Sequence, residues 1–278
     1  MRLSLHTALF AGLLILSSVA VHAAAPTVSS TSPATNRLSI ADSADISVTF
    51  DQSMNNTTLI ADNIKVYGNY RGFYTAAFSV SGNTVTINPD SSFMAGEVIT
   101  VSVTTGVQNA SNEPMASPRV YSFTVDAPSG YNKFTSPVSY TAYGSGSGNH
   151  YSVMADLDKD GDIDIATTTS LYNIMSVMLN NGNGTFASAV TYTTLNAFDI
   201  SAADVDGDGD MDLVVANNSA YGMSVFINNG SGAFGTRNDF AFTFPQSNAQ
   251  FLVAVDIDGD GDMDVVTNDM TNNYLHIM

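Results

Sequence analysis

Apolar and polar residues alternate with period two along much of the first half of the chain, the spacing of half-buried β-strands. Ile46-Ser47-Val48-Thr49-Phe50, Thr84-Val85-Thr86-Ile87, Val98-Ile99-Thr100-Val101-Ser102-Val103 and Val120-Tyr121-Ser122-Phe123-Thr124-Val125 all follow it. Gly82-Asn83 and Asn88-Pro89-Asp90 read as turns between them. Helical periodicity does not compete with this pattern. About seven strands in ~100 residues predict an antiparallel β-sandwich over residues 25–127.

A short linker at 128–133, opening on Pro128-Ser129-Gly130, separates this region from a second one with a different pattern. From 134 to 278 the chain repeats itself. Phe134-Thr135-Ser136-Pro137-Val138-Ser139-Tyr140-Thr141 recurs as Phe186-Ala187-Ser188-Ala189-Val190-Thr191-Tyr192-Thr193, and the turn Asn180-Asn181-Gly182 recurs as Asn228-Asn229-Gly230. Acidic loops start at Asp156, Asp204 and Asp256. A period of roughly 50 residues built of strands and tight Gly turns predicts propeller blades of about four strands each. The expected fold is therefore all-β: a sandwich followed by about two and a half propeller blades. Ile277-Met278 align with Val177-Met178 and Val225-Phe226 of the earlier repeats, inside a blade strand. A longer, truncated protein is the expectation.

Charge sharpens the picture. Among 278 residues, 26 acids face 8 bases, a net charge of −18. That balance argues against nucleic-acid binding and against adhesion to anionic lipid. The three loops, Asp156-Leu157-Asp158-Lys159-Asp160-Gly161-Asp162-Ile163-Asp164, Asp204-Val205-Asp206-Gly207-Asp208-Gly209-Asp210-Met211-Asp212 and Asp256-Ile257-Asp258-Gly259-Asp260-Gly261-Asp262-Met263-Asp264, carry most of the excess. At ~5 Å and an effective dielectric of ~20, each like-charged pair costs on the order of 3 kcal/mol, so a divalent cation would relieve the loops. Oxygen-only ligands around a Gly turn select Ca²⁺, at up to three sites. Side chains 1, 3, 5 and 9 are expected to face the ion, residue 7 to offer its carbonyl, and the carboxylates of Asp162, Asp210 and Asp262 to turn outward. An EF-hand is excluded: position 12 is Thr167, Val215 or Thr267 rather than Glu, and strand formers follow instead of a helix.

Residues 1–23 have the form of a secretory signal peptide: Arg2, an apolar run from Ala8 to Val21, and Val21-His22-Ala23 before the cut. The mature chain is then expected to be secreted or displayed at the cell surface, with the periplasm as a further destination. No later stretch is apolar for the ~20 residues of a transmembrane helix. There is no Cys, hence no disulfide and no thiolate chemistry.

Two resemblances add to this reading. The landmarks Ser32-Pro33-Ala34, Phe50-Asp51-Gln52-Ser53-Met54, Thr105-Gly106-Val107 and Phe123-Thr124-Val125 resemble bacterial Ig-like domains of the Big type, which generally act as spacers. Residues 134–278 resemble FG-GAP/VCBS repeats, the propeller blades of integrin α-subunit heads and many secreted bacterial proteins. That likeness implies structural calcium held by Asp156, Asp158, Asp160 and Asp164 and their equivalents in the next two loops. It departs in number, since such propellers have about seven blades.

An enzyme is not expected. The only histidines after the leader are His150 and His276, and Gly144-Ser145-Gly146-Ser147-Gly148 is a flexible loop rather than a nucleophile elbow. The favoured expectation is a calcium-stabilised protein binding an extracellular glycan or protein ligand, with Tyr172, Tyr192 and Tyr221 as candidate sugar platforms. The alternative is an accessory module of a secreted enzyme.

Overall fold

The computed structural model describes residues 24–128, 137–142, 149–218, 221–242 and 248–278. The expected leader at 1–23, the expected linker and the start of the first repeat motif at 129–136, and residues 143–148 with the Gly/Ser stretch lie outside the described residues.

The N-terminal unit has two four-stranded antiparallel sheets. One orders Val28–Ser32, Ile46–Phe50, Thr84–Pro89 and Ala76–Ser81; the other orders Gly72–Phe73, Ile64–Gly68, Val98–Val103 and Arg119–Thr124. Strict alternation puts Ile46, Val48 and Phe50 of the first sheet and Ile99, Val101 and Val103 of the second into one core. Phe93 closes that core with edge contacts to Tyr74 and Phe123, centroids 5.0 and 5.8 Å away. There are eight strands rather than about seven. The strand read from the sequence as Thr84–Ile87 also runs further, through Asn88 and Pro89, because Pro89 sits at the last pair of its strand, opposite Ala76. A missing N–H costs little at a strand end. The one helical element among the described residues is the 3-10 turn Asn56–Thr58, capped by the Asn55 side chain, which accepts from Thr57 N at 3.1 Å.

The second unit is a series of three antiparallel meanders. The first runs Asn149–Ala155, Asp164–Thr169, Ile174–Met178, Val190–Thr193; the second Ala197–Ala203, Asp212–Asn217, Met223–Phe226, Asn238–Phe240; the third Leu252–Val255, Asp264–Asp269, Tyr274–Ile277. Their leading strands lie side by side, with Ala197–Ala203 between the other two. One apolar cluster, with Leu157, Met175, Leu213 and Phe226, joins the first sheet to the second. A smaller one, with Val214, Val225 and Val265, joins the second to the third. Among the described residues the three sheets form no closed ring.

This arrangement fixes the acidic loops. Each connects the first strand of its sheet to the second, so all three occur at the same point of the repeat. There they meet the N-terminal unit, whose strands Ile64–Gly68 and Gly72–Phe73 and the turn between them lie against the loops. Tyr67 Oη reaches Met211 Sδ at 3.8 Å, and Tyr70 O accepts from Asp156 N at 2.8 Å. No helix among the described residues is long and apolar enough to cross a membrane.

Candidate metal centre

Each loop is held shut by its last Asp, the first residue of the following strand. Asp164 accepts from Leu157 N at 2.8 Å through Oδ2 and from Asn180 N at 2.7 Å through Oδ1. Asp212 repeats this with Val205 N at 3.0 Å and Asn228 N at 2.8 Å. In the third loop Asp264 Oδ2 accepts from Ile257 N at 2.9 Å. The carboxylate at position 9 thus fastens position 2 of its own loop and, in the first two repeats, the Asn-Asn-Gly turn as well.

The first Asp of each loop collects the turn at its centre. Asp204 accepts from Gly207 N and Gly209 N, both at 2.8 Å; Asp256 Oδ1 accepts from Gly259 N at 2.7 Å; Asp156 Oδ2 accepts from Gly161 N at 3.2 Å. Position 6 bends through the left-handed region in all three loops, at φ 95°, 88° and 95° for Gly161, Gly209 and Gly261, and in the first two it donates to the first Asp, which is why glycine stands there. Asp158, Asp206 and Asp258 each accept the amide two residues on, at 3.3, 3.3 and 3.1 Å. Asp160, Asp208 and Asp260 do the same for position 7, at 2.9, 2.9 and 3.0 Å.

The result is three groups of carboxylate oxygens, each within 4.8 Å of one another: Asp156, Asp158 and Asp164; Asp204, Asp206 and Asp212; Asp256, Asp258 and Asp260. The first two groups take positions 1, 3 and 9, and the third takes 1, 3 and 5. Asp160 and Asp208 fall outside the trios of their loops, as does Asp264. Asp162, Asp210 and Asp262 are in no trio. Asp210 instead pairs with Lys159 of the preceding loop. It also lies against the Asn-Asn-Gly turn, where a Cβ on Gly230 would come within 2.6 Å of its Oδ2.

Electrostatics bear on what the trios can hold. Burial pushes the carboxyls of Asp164 and Asp212 up to about 6, against the opposing pull of their backbone hydrogen bonds. Asp156, Asp158 and Asp204 are also raised, burial being the largest cause in each. Asp156 Oδ1 is buried and has no hydrogen-bond partner, beside two further carboxylates. An unpartnered anionic oxygen in that position is costly in a metal-free protein and is the natural seat of a cation. The hard-oxygen donor set fits calcium.

These shifts give a pH expectation. In the metal-free protein Asp164 and Asp212 keep a proton up to about pH 6, whereas an unfolded chain releases it near 4. Their contribution to metal-free stability therefore falls as pH rises from about 4 to about 6. A bound divalent ion requires the carboxylates, so the gain in melting temperature on adding Ca²⁺ should be larger at pH 7.5 than at pH 5. An equal gain at both would show that these carboxyls are not ligands.

Sequence reasoning placed the acidic loops but missed four contributors, Asn180, Asn228, Arg71 and Ser102. Asn180 and Asn228 fasten the position-9 carboxylates, and Asn228 Nδ2 also ties Leu157 O at 2.7 Å to Met211 O at 2.9 Å. Their signal was present, since each Asn follows its position-9 Asp by the same interval in both repeats. Arg71 Nη2 on Asp156 Oδ2 at 3.3 Å and Ser102 Oγ on Asp256 Oδ2 at 2.6 Å had none, being far away in sequence. Tyr192 is taken up by packing against Phe226 and Phe234 and by its hydroxyl on Phe234 N, so it is not a free sugar platform.

Residues 22–125 match the model of the bacterial Ig-like domain, and residues 156–215 and 204–267 match that of the FG-GAP-like repeat. The chain joins a bacterial Ig-like domain to FG-GAP-like repeats. Among solved structures, the N-terminal part of the bacterial S-layer protein SbsC is 14% identical, with a TM-score of 0.31, and aligns over 78% of this chain and 44% of its own. This chain therefore spans less than half of that protein's length. CopC from Methylosinus trichosporium OB3b is 12% identical over 38% of this chain and 98% of its own, with a TM-score of 0.29. A lectin of Agrocybe aegerita is 17% identical over 78% of this chain and 74% of its own, also at 0.29. Likenesses this distant carry no functional weight. No curated protein matches the chain.

Proposed function

We propose that this is an extracellular or surface-displayed, non-catalytic calcium-binding protein. Its FG-GAP-like repeats act as blades of a partial β-propeller that binds a glycan or protein ligand, and the Ig-like domain serves as their support. The observation that carries the metal part of the reading is the buried, unpartnered Oδ1 of Asp156 within the first carboxylate trio. Two further trios at the same place in the repeat support it. Both domain types are typically non-catalytic, and the acidic pairs of the repeats are committed to closing their loops. The leader-like residues 1–23 support export.

The experiment is calcium titration of chelator-treated protein by calorimetry, followed by glycan-array and cell-adhesion screening of the loaded form. Asp204→Ala and Asp206→Ala should each weaken calcium uptake at the second loop by tenfold or more. Asp210→Ala should leave it within about twofold, because that carboxylate is turned to Lys159. The reverse ranking would move the ligand set. Turnover of a polysaccharide or peptide by the pure chain would replace the adhesion reading with the enzymatic one.

A further inference from the structure

The Ig-like domain reaches the first Asp of two loops through different chemistry. On Asp256 it places a neutral hydroxyl, Ser102 Oγ at 2.6 Å from Oδ2. On Asp156 it places a cation, Arg71 Nη2 at 3.3 Å from Oδ2. The corresponding Asp204 of the second loop has both oxygens on backbone amides, those of Gly207 and Gly209.

Arg71 is not a loosely attached surface residue. Its own backbone N–H and that of Tyr70 donate to the buried carboxylate of Glu97, both at 3.2 Å. Tyr70 O accepts from Asp156 N at 2.8 Å, which fixes the turn on the loop. The guanidinium is otherwise held by Nη1 on Ser91 Oγ at 3.2 Å, while its Nε is buried and has no partner. Asp156 is thus the acidic partner of a part-buried charge. The same carboxylate faces the other way with its unpartnered Oδ1.

We propose that Arg71 is a built-in cationic regulator of the first calcium loop, lowering its affinity so that it fills only at calcium concentrations above those that fill the second. The physical ground is that a fixed positive charge on one oxygen of a ligand carboxylate repels a divalent ion arriving at the other. In a partly buried site that repulsion outweighs the gain from holding Asp156 in place. By linkage, calcium in the first loop weakens the Arg71–Asp156 contact by the same factor, so occupancy of that loop and docking of the Ig-like domain are coupled.

The inference rests on the calcium reading, and the test separates the two. In the full chain, Asp206→Ala and Asp258→Ala silence the second and third loops through exposed ligands, leaving the first. Calorimetric titration with CaCl₂ then gives the Kd of the first loop with Arg71 intact and in Arg71→Gln. Tightening by about fivefold or more is expected, within the usual range of coupling between sites. Arg71→Lys, which keeps the charge, should bind within about twofold of the parent. Damage to the fold would weaken binding, the opposite sign. An unchanged or weaker Kd in Arg71→Gln overturns the regulator role while leaving calcium binding intact. Absence of calcium uptake in both forms overturns the calcium reading and this proposal together.

Discussion

Removing calcium should lower the thermal unfolding midpoint of this protein by about 10 °C or more. Each site saturated at one hundred times its Kd adds about 2.7 kcal/mol to the folded state. Two or three such sites together add about 5–8 kcal/mol, comparable to the whole stability of a marginal folded domain. At a few degrees per kcal/mol for a unit of this size, the shift is easily read in a scan. The loops give the reason for so large a dependence. Fifteen Asp residues are gathered into three turns, no disulfide closes them, and Asp156, Asp164 and Asp212 are buried. Scans in millimolar Ca²⁺ and in EGTA, with metal content checked, decide the matter. A midpoint indifferent to EGTA in protein shown to be metal-free sinks the metal assignment.

Local pattern carried most of the architecture. Ile46–Phe50 and Val98–Val103 are found at the bounds their alternation implies, since a period-two run with one buried face has only one register that hides Ile46 and Val48, or Ile99, Val101 and Val103, together. The Asp loops were legible for a similar reason, each being a self-contained turn whose spacing is set by its own backbone. The short strand Gly72–Phe73 was not, because two residues make no period. Its partner Ile64–Gly68 alternates for only a few residues before it ends in Gly68, and it joins the sheet by pairing with Val98–Val103. The outward turn of Asp162, Asp210 and Asp262 was legible from loop position, whereas the absence of Asp160 and Asp208 from their trios was not, since they share the residue type and spacing of the ligands. The placement of the Ig-like domain on the loops was beyond reach, because Arg71, Ser102 and Tyr67 are unremarkable residues of a β-sandwich until the second unit is set beside them.

Glu97→Ala should destabilise the Ig-like part of the protein by about 3–5 kcal/mol, a large effect for a single residue. Glu97 is fully buried, and its carboxylate accepts four hydrogen bonds: from Tyr70 N and Arg71 N at 3.2 Å, from Met94 N at 2.9 Å and from Tyr74 Oη at 2.6 Å. Alanine would leave three amides and a phenol facing a space from which water is excluded. Burial first, and the Glu97 charge second, hold Tyr74 protonated far above its ordinary range, so its hydroxyl remains a donor at any pH the protein meets. The same carboxylate shapes the turn between Gly68 and Gly72, and that turn carries Tyr70 O and Arg71 to Asp156. Loss of Glu97 should therefore be felt across the junction, as a change in calcium affinity confined to the first loop. Urea unfolding of the calcium-loaded chain, followed by tyrosine fluorescence in this Trp-free protein, measures the first effect. A loss below about 1 kcal/mol would mean that water reaches the four donors and that the turn is held by its neighbours alone.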